Sequence, residues 1–305
     1  MDAIAATIYR RTKTEEKMML LSSNMIQFHD TFGMKETFDA FARVGIRGMD
    51  FNTDVAEYYT DAHDEQFYRE LGAYAAKCGV AISQAHAPFP SGFQDEKKTE
   101  RRFEEIVNGM KHASYLGAPM IVVHPYTHLD YSVEGNPEIL YDLNLDFYKR
   151  LIPYARAFGI KIAIENIGRA SVTSTPERLN RLYDELNDPV FTVCLDVGHC
   201  LLQGVDPAEA AQTLGHRLVN GCTHIHDNVG EVDTHTLPYY GKVDWESVMK
   251  ALSDIGYRGN LNYEASGFIK NVPAELHFDG LAYMAKVGHY LIGRFEHYEK
   301  ERADA

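Results

Sequence analysis

Gly159-Ile160-Lys161-Ile162-Ala163-Ile164-Glu165-Asn166 is the stretch whose reading decides the fold. A glycine suited to a left-handed helix C-cap precedes a short β-branched run, and that run stops at a carboxylate. The same joint recurs along the chain. Gly45 precedes residues 46–50, Gly79 precedes 80–84, Gly117 precedes 120–123 and Gly256 precedes 260–264. Residues 19–22, 191–195 and 221–225 complete eight candidate strands, with helical stretches between them. Thr175-Pro176, Asp206-Pro207 and Asp244-Trp245 supply helix starts, each a capping side chain and two of them with proline at the first helical position. Strands alternating with helices, eight times over, predict an α/β chain closed as a (β/α)8 barrel. The alternative, a doubly wound sheet, wants GxGxxG or GxxxxGK[ST] after an early strand, and neither occurs. With no linker in sight, residues 1–305 read as one domain. Its barrel spans roughly 18–266, with extended βα loops and a C-terminal helical extension over 267–305.

Composition narrows the class. The chain has 305 residues, 45% hydrophobic and 24% charged, with room for a sizeable core. Thirty Lys and Arg against 44 Asp and Glu leave a net charge of −14, which argues against a broad phosphate-tracking surface. Apolar runs are strand-sized, so no membrane association is expected. The N-terminal charges Arg10, Arg11, Lys13, Glu15, Glu16 and Lys17 do not read as a secretory signal. Cys78, Cys194, Cys200 and Cys222 lack CxxC spacing and suit reduced core thiols in a cytoplasmic protein. The charged run 94–105 reads as a solvated helix face, and His63, His112, His216, His277, His289 and His297 as surface residues on helices or loops. His128, in a loop, is left open between surface and site.

The chemistry collects at strand ends. His86 follows strand three, His124 four, Glu165 five, Asp196 and His199 six, while His224 and His226 lie on seven and Glu264 on eight. Side chains two apart on a strand share a face, so Ala163 and Glu165, Cys194 and Asp196, Asn262 and Glu264 all point inward, as do His224 and His226. One buried histidine is more often a hydrogen-bonded core residue than a ligand. Six or seven ionisable groups converging on the C-terminal face of a barrel are costly without a cation, and a divalent metal is the economical answer.

The segments His124-Pro125, Ile164-Glu165-Asn166, Leu195-Asp196-Val197-Gly198-His199, Thr223-His224-Ile225-His226-Asp227-Asn228, Gly241-Lys242-Val243-Asp244-Trp245 and Tyr263-Glu264 resemble the xylose-isomerase-like TIM-barrel superfamily, sugar and sugar-phosphate isomerase/epimerase branch. The resemblance runs from about Met19 to Glu264 and rests on order and motif. It implies one divalent ion (Mn2+, Mg2+, Co2+ or Zn2+) held by Glu165, Asp196, His226 and Glu264. Glu165 and Glu264 would exchange the substrate proton through an enediolate, and His199 would contact substrate oxygens. His86 and His124 are expected to face substrate, and a weaker second metal position is expected at Asp233 and His235, or at His86 and His124. The expected partner is a small-molecule sugar, with no nucleic acid and no membrane; self-association is open.

Two other readings stand beside it. The three-zinc pattern of endonuclease-IV-type AP endonucleases can be laid on His86, His124, Glu165, Asp196, His199, His226, Asp233, His235 and Glu264. The glycine-rich DNA-contacting loop expected after strand one is missing, since the chain reads Ser22-Ser23-Asn24-Met25-Ile26-Gln27 there. A metal-dependent keto-sugar or keto-cyclitol dehydratase would share the opening proton abstraction. Phe89, Phe93, Tyr126, Tyr131, Tyr239 and Tyr240 are loop aromatics placed to pack on a sugar ring or on one another.

Overall fold

The computed structural model describes residues 19–93, 95–126, 137–168 and 171–304. Eight parallel strands, β1 (Leu21–Asn24), β2 (Gly48–Asn52), β3 (Ala81–His86), β4 (Met120–Val123), β5 (Lys161–Glu165), β6 (Phe191–Asp196), β7 (Cys222–His224) and β8 (Leu261–Tyr263), pair in the order β7-β6-β5-β4-β3-β2-β1-β8. The remaining seam closes just beyond β7. Ile225 bridges Tyr263, its N–H donating to the Asn262 carbonyl (2.8 Å), and the Glu264 N–H donates to the Ile225 carbonyl (3.1 Å). The chain is therefore a TIM barrel.

The expected joints form for the expected reasons. Gly45, Gly79 and Gly117 end their helices at positive φ (89°, 73° and 92°), a conformation that penalises any Cβ. Thr175, Asp206 and Asp244 accept backbone N–H groups at their helix starts. The helix Glu96–Leu116 carries the charged run, with Arg101 and Glu105 paired at 3.1 Å across one turn. β1 and β2 each begin two residues later than the sequence suggests, because the ladder between them opens at Ser22 opposite Gly48. Gly48 is required there: a Cβ would run into the Ser22 side chain.

Alternate strand residues serve two cores. Ile121, Val123, Ile162, Ile164, Val193 and Leu195 face outward into the large apolar layer under the helices, whereas Val122, Ala163, Cys194 and Cys222 form a small separate cluster inside the barrel. The helix His277–Asp304 buries Leu281, Met284, Leu291 and Phe295, and the Tyr263 hydroxyl donates to its Met284 carbonyl (3.0 Å). All four cysteines are free, three of them buried. His112 corrects the sequence reading: it is buried, stacked on Tyr68 at 4.4 Å, with Nδ1 2.9 Å from the Tyr58 carbonyl. Its helix packs that face against residues far upstream, which spacing along one helix does not reveal. Residues 10–17, His128 and Tyr131 lie outside the described residues. Among those described, no helix is long and apolar enough to cross a membrane.

Candidate active site

Each strand lifts a small or neutral inward residue first and a polar one two places on. Ala163 lies below Glu165 and Cys194 below Asp196; Cys222 lies below His224 and Asn262 below Glu264. The result is a ring of donors at the C-terminal mouth. Glu165, Asp196, His224 and Glu264 each offer one ligand atom, and the four atoms lie within 4.8 Å of one another. His86, His124 and Glu165 form a second such group, and His199, His226, Asp233 and His235 a third.

Glu165 is the hub. Its Oε2 is 3.1 Å from His124 Nε2 and its Oε1 is 3.3 Å from His224 Nδ1 and 3.4 Å from His199 Nδ1. His224 Nδ1 is also 3.1 Å from Glu264 Oε2. Yet Glu165 Oε1 and Oε2, His224 Nδ1 and His226 Nδ1 are buried without an aligned hydrogen bond. Buried polar atoms at bonding distance but aimed past one another are costly unless a common centre satisfies them, and carboxylate and imidazole donors suit a divalent ion. His86 Nε2 and His124 Nε2 are hydrogen-bonded to each other at 2.9 Å.

The structure places His226, expected in the first group, in the third. Its Nε2 still touches Asp196 (3.0 Å to Oδ1), but its ring stacks on His235 at 3.9 Å, and His224 completes the quartet. His224 pairs directly opposite Asp196 in the β6–β7 ladder, while His226 stands one inward step higher. Shared parity made the two histidines indistinguishable in the sequence; the interstrand register separates them.

A cavity of about 410 Å3 opens over this ring. Glu165 and Glu264 reach its wall, with His124, His199, Asp233 and His235, while Asp196 and His224 lie behind them. His86 does not line it and sits under His124. The half-exposed Phe89 covers that edge, its ring centroid 4.9 Å from His124 and 5.8 Å from His86. Tyr239 and Tyr240 turn away from the mouth to Tyr290 and Phe268.

The motif residues between the donors are clamps. Asn166 grips the Asp196 backbone, its Nδ2 donating to the carbonyl (2.8 Å) and its Oδ1 accepting from the N–H (2.7 Å). Asp227 accepts from the N–H groups of Asn228, Tyr239 and Val243 and from Trp245 Nε1 (2.9 Å), which secures the loop carrying Asp233 and His235. Gly198 has no room for a Cβ beside the His226 ring, nor Gly241 beside Asp227.

The family described as xylose isomerase-like TIM barrel matches residues 38–286. The chain belongs to that family. It is 28% identical over 253 residues to an uncharacterized protein, y4fM, of Sinorhizobium fredii, covering 76% of this chain and 81% of that protein. Over 206 residues it is 25% identical to an inosose dehydratase of Clostridium perfringens, covering 57% of this chain and 67% of that enzyme. A solved D-tagatose 3-epimerase-like protein superposes with a TM-score of 0.71 at 20% identity, covering 93% of this chain and 99% of that one.

In this xylose isomerase-like barrel the site's electrostatics follow from crowding. Burial alone would raise the Glu165 and Glu264 carboxyls, but His224 beside both, with His124 at Glu165, holds each well below the ordinary carboxylate range. Burial pushes His86 down, and the neighbouring His124 adds to it. His235 behaves oppositely: burial would lower it, but its contact with Asp233 (3.1 Å) and the nearby Glu264 push it up to about 9. Both glutamates are thus held as carboxylates, able to accept a proton or a cation.

Proposed function

We propose that the protein is a divalent-metal-dependent isomerase or epimerase that moves a proton at the carbon beside the carbonyl of a keto sugar or sugar phosphate. One observation carries the reading: within the four-donor group, the two glutamates reach the cavity wall while Asp196 and His224 stand behind them. Glu165, Asp196, His224 and Glu264 would hold a divalent ion, which would supply Lewis acidity at the substrate carbonyl. The carboxylates then do the proton work. One glutamate takes the proton from carbon and the other returns it, to the opposite face in epimerisation or to the neighbouring carbon in isomerisation. His124 and His199, on the wall, bind the sugar hydroxyls, and Phe89 excludes water from one edge. Among the described residues no lysine or arginine lines the cavity, which favours an uncharged keto sugar over a phosphorylated one. The inosose dehydratase relative supports a nearby variant, in which the same proton abstraction leads to loss of water.

The donor groups beside the quartet, His86 and His124 with Glu165, and His199, His226, Asp233 and His235, favour a second reading, hydrolysis of a phosphodiester by several zinc ions. Against it, Met25 is the single residue between β1 and the helix Ile26–Phe32, so no loop after β1 is available to a nucleic acid. Incubation with keto sugars and Mn2+ in deuterated water separates the two. Deuterium entering at the carbon beside the carbonyl, and lost in Glu165→Gln, is the expected result. Cleavage of an abasic-site duplex by zinc-loaded protein, lost in the same variant, would replace the first reading with the second.

A further inference from the structure

Glu165 has a second set of neighbours for which the proton chemistry has no use. Strand register sets it directly beside Cys194 on β6, and Cys194 directly beside Cys222 on β7. All three side chains point inward, so a carboxylate and two thiols form one row across three adjacent strands. The row is sealed from solvent, with exposures of 0%, 0% and 2%. The Cys194 Sγ, one Glu165 oxygen and one His224 nitrogen lie within 4.8 Å of one another. Cys222 packs with Cys194, Val122 and Ala163 in the small cluster inside the barrel. Both thiols are free, and both Glu165 oxygens are buried without an aligned hydrogen bond. Reduced, the thiols fill space as small apolar side chains do. Adjacent strands run about 4.8 Å apart and two metal–sulfur bonds of about 2.3 Å span up to ~4.6 Å, so registered neighbours can hold one ion between them.

We propose that Cys194, Cys222 and Glu165 form a thiolate metal site inside the barrel, selective for a thiophilic divalent ion such as Zn2+ or Cd2+. The four-donor group offers only oxygen and nitrogen and serves hard ions such as Mn2+, whereas the row offers two sulfurs, which soft ions select and hard ones do not. Binding replaces two S–H bonds by two metal–sulfur bonds and releases two protons to solvent, so it needs no oxidant or reductant. An ion entering from the cavity meets Glu165 first, because that carboxylate reaches the wall. Glu165 is common to both donor sets. Turned to the thiols, it is withdrawn from the four-donor group and from proton transfer, so a thiophilic ion inhibits the enzyme that a hard ion activates. The site stands on the thiol row alone; only its inhibitory effect rests on the function proposed above.

The test uses Cd2+ as probe on the full-length protein, with its thiols reduced and Mn2+ in excess. Wild type is compared with Cys194→Ala, Cys222→Ala and a control, Cys78→Ala, which removes the half-buried thiol beside Asp39 on the outer helix Glu65–Cys78. Cadmium bound to thiolate absorbs in the near ultraviolet by charge transfer from sulfur, and a site of oxygen and nitrogen gives no such band. Wild type and Cys78→Ala should show the band. Cys194→Ala should lose it, and Cys222→Ala, with one sulfur left, should show a weaker band that needs more Cd2+ to saturate. Circular dichroism shows whether each variant is folded, and if Cys194→Ala is not, the comparison of wild type with Cys222→Ala decides. Cd2+ bound to wild type without the band, a band unchanged in folded Cys222→Ala, or a band lost in Cys78→Ala would overturn the inference. In a second arm, Cd2+ should suppress deuterium exchange into a keto sugar by Mn2+-loaded wild type, and suppress it less in Cys222→Ala. A band that depends on both thiols in a protein that exchanges no deuterium would sink the proposed activity and leave this site standing, whereas exchange without a band would do the reverse.

Discussion

The barrel interior has two halves that are equally buried and chemically opposite. On β4 to β7 the lower layer is Val122, Ala163, Cys194 and Cys222, an apolar plug. On β8 and β1 to β3 the corresponding space holds Asn262, Ser22, Asp50, Ser83 and Gln84, with the Ser22 and Ser83 hydroxyls 2.6 Å apart and the amides turned to Asp50. Burial alone therefore does not decide what fills a barrel. The apolar half fills space beneath Glu165, Asp196 and His224, and above it Asn166 clamps the Asp196 backbone. The polar half lies beneath Glu264 and reaches the Nε2 side of His224, where Gln84 Nε2 stands 3.0 Å away and Asp50 3.5 Å away.

The sharpest way to break this contrast is at the mouth above the apolar half. Glu165→Gln keeps the shape of the hub but removes its charge and its capacity to take a proton, and turnover on a responsive keto sugar should fall by a factor of about 10² or more. Steady-state rates with saturating Mn2+ check it, and near-normal turnover would remove Glu165 from the proton relay.

Next in size is the choice between the two histidines of β7 and its continuation. His224→Ala should strip most of the bound metal, whereas His226→Ala should leave the primary ion in place, as measured by elemental analysis per chain after dialysis. The reverse pattern would return the ligand role to His226. Removing the metal from wild type by chelation should abolish proton exchange, with recovery on adding back Mn2+.

Within the apolar plug, Val122→Ala should cost about 2 kcal/mol of stability through the cavity it opens, read as a lower denaturant midpoint, with Co2+ affinity unchanged. A large loss of affinity in that variant would show that the two halves are not separable. The smallest expected effect concerns His235. Its folded-state value of about 9 lies above the ordinary 6.5, so pairing with Asp233 stabilises the metal-free protein fully below about pH 6.5. That contribution fades as pH rises through 9. Thermal midpoints of metal-free protein between pH 6 and 10 should show the decline, and Asp233→Asn should flatten it.

Several of these residues were legible in advance and others were not, for identifiable reasons. Glu165, Asp196 and Glu264 each sit two places above a small or neutral strand residue, and parity within one strand is a property of the local chain. His224 against His226 depends on how β7 is registered against β6. Asp50 was invisible because β2 slips relative to β3 between Met49 and Asp50, so its facing partners follow from no local pattern. The misread His112 had the same cause, a contact with Tyr58 54 residues away.

The sequence by itself determined the α/β alternation, the caps that start and stop the helices, the eight-fold count and the strand-end placement of acids and imidazoles. All of these are written in spacings of a few residues, where backbone geometry leaves little choice. Only the tertiary structure decided which imidazole completes the four-donor group, which carboxylates reach the cavity wall, and which buried acid lies under His224. Those outcomes depend on register and height between strands distant in sequence, set by the closing of the barrel as a whole.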